Sequence, residues 1–176
     1  MDDAQFFLVY SVTAGLVLEA SLFMMSRGLD RKRYLGPVVA GVVFGGGSVI
    51  LFRAWLLSYL LGGVLTGYFL SRHVAAGWSH FRAGAVNGLL LEAGLILSNA
   101  ATLVIKGVTP ILSTLSQTLG RTVAIEELLS SLTIATVLDI FFIIAVVGSG
   151  AMLGGMLRKL ISPATVARPA QTNHKT

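Results

Sequence analysis

The stretch "YLLGGVLTGYFLSR", Tyr59 to Arg72, is apolar enough to sit in lipid, yet it carries Gly62, Gly63 and Gly67. Glycine weakens an isolated helix more than any residue except proline. A phosphate-binding loop is one reading. That motif needs Gly-x4-Gly-Lys-Ser/Thr between a strand and a helix, with the lysine reaching the phosphate. Neither this stretch nor "FGGGSV" at Phe44–Val49 has a lysine, and both lie inside apolar runs. The other reading is close packing of membrane helices, in which small residues let two backbones approach. The sequence on either side selects the second.

The chain has 176 residues, 55% hydrophobic and only 12% charged, with a mean hydropathy of +0.82. A soluble domain carries about 25% charged residues, so too little polar surface is present to cover a water-soluble globule. The absence of cysteine excludes disulfides, thiolate zinc sites and cysteine-ligated iron–sulfur clusters. A formal charge of +5 and a pI near 10.0 would suggest nucleic acid in a soluble protein. Here the placement of the charges matters more than their sum, and no nucleic acid is expected.

Apolar runs near 4–25, 35–51, 54–70, 83–105 and 131–157 each approach the ~20 residues a spanning helix needs. The second and third are short and are read as a hairpin turning near Arg53; a single broken or re-entrant segment around "GGGS", Gly45–Ser48, is the alternative. The acidic start "MDDAQ" and the length of the first run argue against a cleaved signal peptide. Placing "SRGLDRKRY" inside collects ten of the thirteen basic residues there: Arg27, Arg31, Lys32, Arg33, Arg72, Arg82, Arg158, Lys159, Arg168 and Lys175. Arg53, Lys106 and Arg121 fall outside. This positive-inside bias predicts an all-α, polytopic bundle of about five spans, N-out and C-in. Tyr34 and Trp78 then mark the inner boundary and Trp55 the outer one. The chain is expected in the cell membrane as a multi-pass protein, with the basic, polar tail 158–176 disordered.

One long outer connection remains, in which Thr109 is a candidate cap, Pro110 a first helical residue and Gly120 a terminator. Ile111, Leu112, Leu115 and Leu119 share a face, which predicts a short amphipathic helix on the outer surface.

Gly41/Gly45, Gly63/Gly67, Gly84/Gly88 and Gly150/Gly154 are each spaced i, i+4 in four different spans, and Ser11/Gly15 repeats the spacing in the remaining one. Such faces point to helix packing within a bundle, a homo-oligomer, or both. The runs "GPVVAGVVFGGGSVIL", "GGVLTGYFL", "RAGAVNGLL" and "GSGAMLGGML" resemble a family of small glycine-rich multi-spanning membrane proteins, known mainly from archaea and of unknown function. Its pattern is GG-x3-GY followed by GA-x2-G and a closing glycine-rich helix. The resemblance covers about Leu35 to Leu157 and implies a membrane bundle; it supplies no activity.

Glu19, Glu92 and Asp139 fall within predicted spans. A mid-helix aspartate costs about 2.5–3.5 kcal/mol on insertion scales, so such groups face protein or water and are functional candidates. Gly84, Gly88 and Glu92, with Asn99 beyond, share a helical face; Ser11, Gly15 and Glu19 share another; and Asp139 returns to within about 20° of Gly150. All three carboxylates are therefore expected to point into the bundle or a subunit interface. Two readings stand. Staggered in depth, and with Asn87 and Asn99 nearby, they form a proton or cation path. Alternatively they hydrogen-bond across helices to Asn87, Asn99, Ser98 or Thr136, or Asp139 pairs with Arg53. His73 and His80 read as solvated loop residues and make no metal site. The esterase pattern Gly-x-Ser-x-Gly fails at Ile50, so neither an enzyme nor a cofactor is expected. The leading expectation is a structural or accessory subunit of a membrane complex or homo-oligomer; a small ion- or proton-coupled transporter or channel is the alternative.

Overall fold

The computed structural model describes residues 3–52, 55–75 and 77–161, which are helical with no strand among them. The elements are α1 (Asp3–Ser26), α2 (Arg31–Phe52), α3 (Trp55–Leu70), α4 (Trp78–Lys106), α5 (Thr109–Leu119) and α6 (Ile125–Ile161). The proposed turn at Arg53 and residues 162–176 of the expected tail lie outside the described residues; residues 158–161, expected in that disordered tail, instead continue α6 as its last turn.

Helices coincide with the apolar runs and overrun them at charged ends. α2 begins at Arg31 because Asp30 caps it: its side chain accepts the Lys32 amide at 3.1 Å, and its carbonyl accepts those of Arg33 and Tyr34. α6 begins with Glu126 and Glu127 in its first turn, where carboxylates suit the positive end of the helix dipole. It then runs 37 residues without a break, a length of about 55 Å. The stretches Leu8–Ser26, Trp78–Leu103 and Ile125–Ile161 are long and apolar enough to cross a membrane; α3 is apolar but shorter.

The chain runs up and down. Tyr34 and Val38 of α2 meet Leu70 of α3 and Ala83 of α4, so the start of α2, the end of α3 and the start of α4 share one end of the bundle. Toward the opposite end, Tyr59 of α3 bonds Glu92 of α4, and Tyr10 of α1 meets Thr136 of α6 at 3.3 Å. Leu18, Leu89 and Ile140 join α1, α4 and α6 between these levels. The bundle's α2-start end carries Arg27, Arg31, Lys32, Arg33, Arg72, Arg82, Arg158 and Lys159, all on helix termini or turns of that end. Tyr34 lies at this basic end but is turned inward. It is 9% exposed and belongs to the core, whereas Trp78 and Trp55 are exposed.

α5 forms where the sequence places it, with one change. Val108 occupies the cap position, Thr109 is already helical, and no side chain caps the end. Gly120 closes the helix at φ +65°, a left-handed conformation natural to glycine. Ser116 then collects the exit: its carbonyl accepts the amides of Gly120 and Arg121, and its hydroxyl accepts that of Val123. Leu112 and Leu115 contact the small core of Val108 and Leu128, Ile111 and Leu119 remain exposed, and Arg121 pairs with Glu127 at the surface.

Candidate functional site

The middle of the bundle is a polar knot set among glycines. Asn87 of α4 donates from its amide to the Gly62 carbonyl at 2.9 Å and to Thr66 Oγ1 at 2.6 Å, while Thr66 donates to the same Gly62 carbonyl. Asn87 and Thr66 are fully buried. α2 crosses this knot at Gly41, where a Cβ would collide with Thr66, Asn87 and the Gly62 carbonyl. One turn on, a Cβ at Gly45 would lie 3.3 Å from the Gly62 Cα. α2, α3 and α4 therefore meet where a side chain on α2 would break the hydrogen bonds.

The other face of α3 lies along α6. A Cβ at Gly63 or Gly67 would run into the backbone carbonyls of Val147 and Ala151, and one at Gly154 into that of Val64. At Gly150 the Leu60 carbonyl would stand 2.9 Å away. α4 closes the same groove: a Cβ at Gly84 would meet Ala151 Cβ at 2.6 Å, and one at Gly88 would meet Ile143 Cγ2 at 2.7 Å. Gly62 and Gly148, the latter against the Phe81 ring, are equally confined. Gly15 differs, because nothing stands within 4 Å of a Cβ built there. α1 packs instead through Tyr10, Ala14, Leu18 and Ser21.

Of the three carboxylates, Glu92 is 4% exposed, while Glu19 and Asp139 are on the surface of the single chain, as is Asn99. Of the two places expected for them, bundle interior or subunit interface, the bundle interior takes Glu92, and Glu19 and Asp139 are left on the outer surface of the single chain. Glu19 follows Gly15 on a face that α1 does not use. Asp139 shares the face of Gly150, but Gly150 stands opposite Leu60, and 11 residues further up α6 there is no α3 left to cover it, since α3 starts at Trp55. Glu92 accepts a hydrogen bond from the Tyr59 hydroxyl at 3.2 Å, rather than from Asn87, Asn99, Ser98 or Thr136. Asp139 lies close enough to Glu92 and Tyr59 to act on both electrostatically.

His80 is not a solvated loop residue. It is fully buried in the first turn of α4, its Nε2 is 2.8 Å from Ser71 Oγ, and its Nδ1 has no partner. His73 is exposed. Ser71 also donates to the Gly67 carbonyl, so this pair fastens the end of α3 to the start of α4. Among the openings along the bundle, two bear on its polar groups. One of about 310 Å³ lies between α2, α3 and α4, with Trp55, Tyr59, Leu91 and Leu95 in its apolar wall. One of about 190 Å³ lies at the basic end beside Arg72 and His73. Tyr59, Thr66, Ser71 and His80 were not legible as a site, because single polar residues in apolar runs give no periodic signal; the i−4 spacing of Gly62 and Thr66 was the one available clue. Compared with family models, curated proteins and solved structures, the chain matches none.

Proposed function

We propose that the chain is a multi-pass integral membrane protein of five spans, N-out and C-in, acting as a structural or accessory subunit in a membrane complex or a homo-oligomer. The observation that carries this reading is how the buried polar groups are used. Asn87 and Thr66 bind helix to helix, Ser71 and His80 do the same at the basic end, and Glu92 meets Tyr59. No chain of carboxylates runs through the described interior, because Glu19 and Asp139 lie outside it. The glycine faces of α2, α3, α4 and α6 are spent on internal contacts, in the manner of a glycine zipper. The surfaces left for partners are the exposed apolar faces of α1 and α6, among them Leu8, Val12 and Leu16, and Ile134, Leu138 and Phe141. α5, with Ile111 and Leu119 outward, is suited to rest on the outer membrane surface or on a partner.

Gentle extraction followed by native mass spectrometry tests this. Recovery in fixed proportion with other membrane chains, or as a defined homo-oligomer, supports the subunit reading; a strict monomer removes it. A second reading is favoured by the Glu92–Tyr59 pair, a buried carboxyl with Asp139 nearby, which is the kind of group a proton-coupled carrier uses. On that reading Glu92→Gln abolishes pH-driven flux in liposomes while leaving the fold intact. Unchanged or absent flux in both proteins would exclude it.

A further inference from the structure

The smaller opening has a shape and a chemistry that helix packing does not need. It lies between the first turns of α2 and the exit of α3, lined by Gly36, Pro37, Ala40, Phe69, Arg72 and His73. At about 190 Å³ it has room for roughly six waters at ~30 Å³ each, the space of a phosphate and a glycerol unit. Its polar wall is Arg72 and His73. The Arg72 guanidinium lies over the Phe69 ring, 5.4 Å from the centroid, which orients it, and no carboxylate pairs with it among the described residues. Lys32 and Arg33 precede Gly36 on α2, and Arg33 meets the carboxylate of Asp30. The opposite wall is apolar. Gly36 leaves α2 open there, since nothing lies within 4 Å of a Cβ at that position. Ala40 continues the wall one turn on, and Val39 and Val43, 50% and 64% exposed, extend it along α2.

We propose that this opening binds the phosphate of an anionic phospholipid, with Arg72 and His73 on the phosphate and the acyl chains along Ala40 and Val43. An arginine supplies a fork of donors matched to phosphate oxygens, and an exposed imidazole supplies another. The apolar lane distinguishes a lipid from free phosphate, which has no use for it. The site requires only that the bundle sits in a bilayer, so it stands or falls separately from the subunit reading.

The test is native mass spectrometry of the full chain in detergent, titrated with phosphatidylglycerol, phosphatidylcholine or inorganic phosphate. Wild type is expected to retain phosphatidylglycerol in preference to phosphatidylcholine, with inorganic phosphate at equal concentration failing to displace it. Arg72→Gln with His73→Gln should lower retention at least about tenfold, the loss expected when a charge-assisted hydrogen bond to phosphate is removed. Arg72→Lys should keep most of it, and so should Arg31→Gln, which removes a charge from the same end but not from the opening. Helical circular dichroism checks the fold of each variant. If the double variant does not fold, Ala40→Leu, which fills the lane and leaves every charge in place, should lose the lipid instead. Unchanged retention in the variant that folds overturns the proposal. Equal loss with Arg31→Gln overturns it in favour of diffuse attraction. Displacement by inorganic phosphate, or equal retention of phosphatidylcholine, overturns the choice of ligand.

Discussion

At Gly63, Gly67 and Gly154 the object facing the missing side chain is another helix's backbone, which has no rotamer with which to yield. Overpacking a close contact costs about 1–3 kcal/mol, and the rigid neighbour puts these sites at the upper end. Gly67→Ala should therefore lower stability by roughly that much in a denaturant titration of the detergent-solubilised protein. Gly15→Ala and Gly94→Ala face open space and should be neutral or gain up to about 1 kcal/mol from helix propensity. If the two classes behave alike, the α3–α6 contact is not as described. Asn87→Ala removes two interhelical donors; such bonds average about 0.6 kcal/mol in membrane proteins and reach about 1.7, so a loss near 1–2 kcal/mol is expected, from the same titration. The packing glycines of α2, α3, α4 and α6 were legible because their spacing repeats in several runs, while Gly15 shares the spacing and meets no neighbour. The burial of His80 was not, because a histidine beside an arginine, a serine and a tryptophan near a turn looks like a loop residue until Ser71 is brought to it.

Helix identity came through well at the level of elements, and helix faces only in part. The runs near 4–25, 35–51, 54–70, 83–105 and 131–157 correspond to α1, α2, α3, α4 and α6. The ends of α1, α2, α4 and α6 lie further out, most where a helix continues through charged residues that hydropathy excludes, whereas α3 keeps to its run. Faces failed where the neighbour ends. α6 is covered by α3 at Gly150 and Gly154, and by α1 and α4 at Thr136 and Ile140, so its buried side rotates along its length and a single angular argument misplaces Asp139. The same length carries a testable consequence. A helix of about 55 Å exceeds a hydrocarbon core of about 30 Å. Single cysteines placed at Glu126 and Ser130 should react with a water-soluble maleimide in membranes, whereas cysteines at Phe142 and Val146 should not. Protection of Glu126 would mean that α6 lies far more tilted.

For the whole molecule, the decisive quantity is which end faces which compartment. The absence of native cysteine makes the chain its own background for labelling. With five spans, N-out and C-in, a cysteine at Lys32 should be reached only from the cytoplasmic side and one at Ser116 only from the outside. Labelling of both from one side would reduce the number of crossings. The basic end was readable from sequence because charge placement survives any error in helix faces, and it is the end at which the starts of α2 and α4 meet the end of α3.

The 16 residues of α3 reach only about 24 Å, beside a neighbour more than twice as long. A bilayer that meets a short wall on one side and a tall one on the other cannot keep a uniform thickness, and each ångström of mismatch costs a fraction of a kcal/mol. With five spans as proposed, the lipid dips along the short α3 and swells or tilts along α6. Two such dents placed side by side cost less than two held apart, so on that reading copies or partners presenting a similarly thin flank would be drawn to this side of the protein through the membrane itself, before any atom of one touches the other.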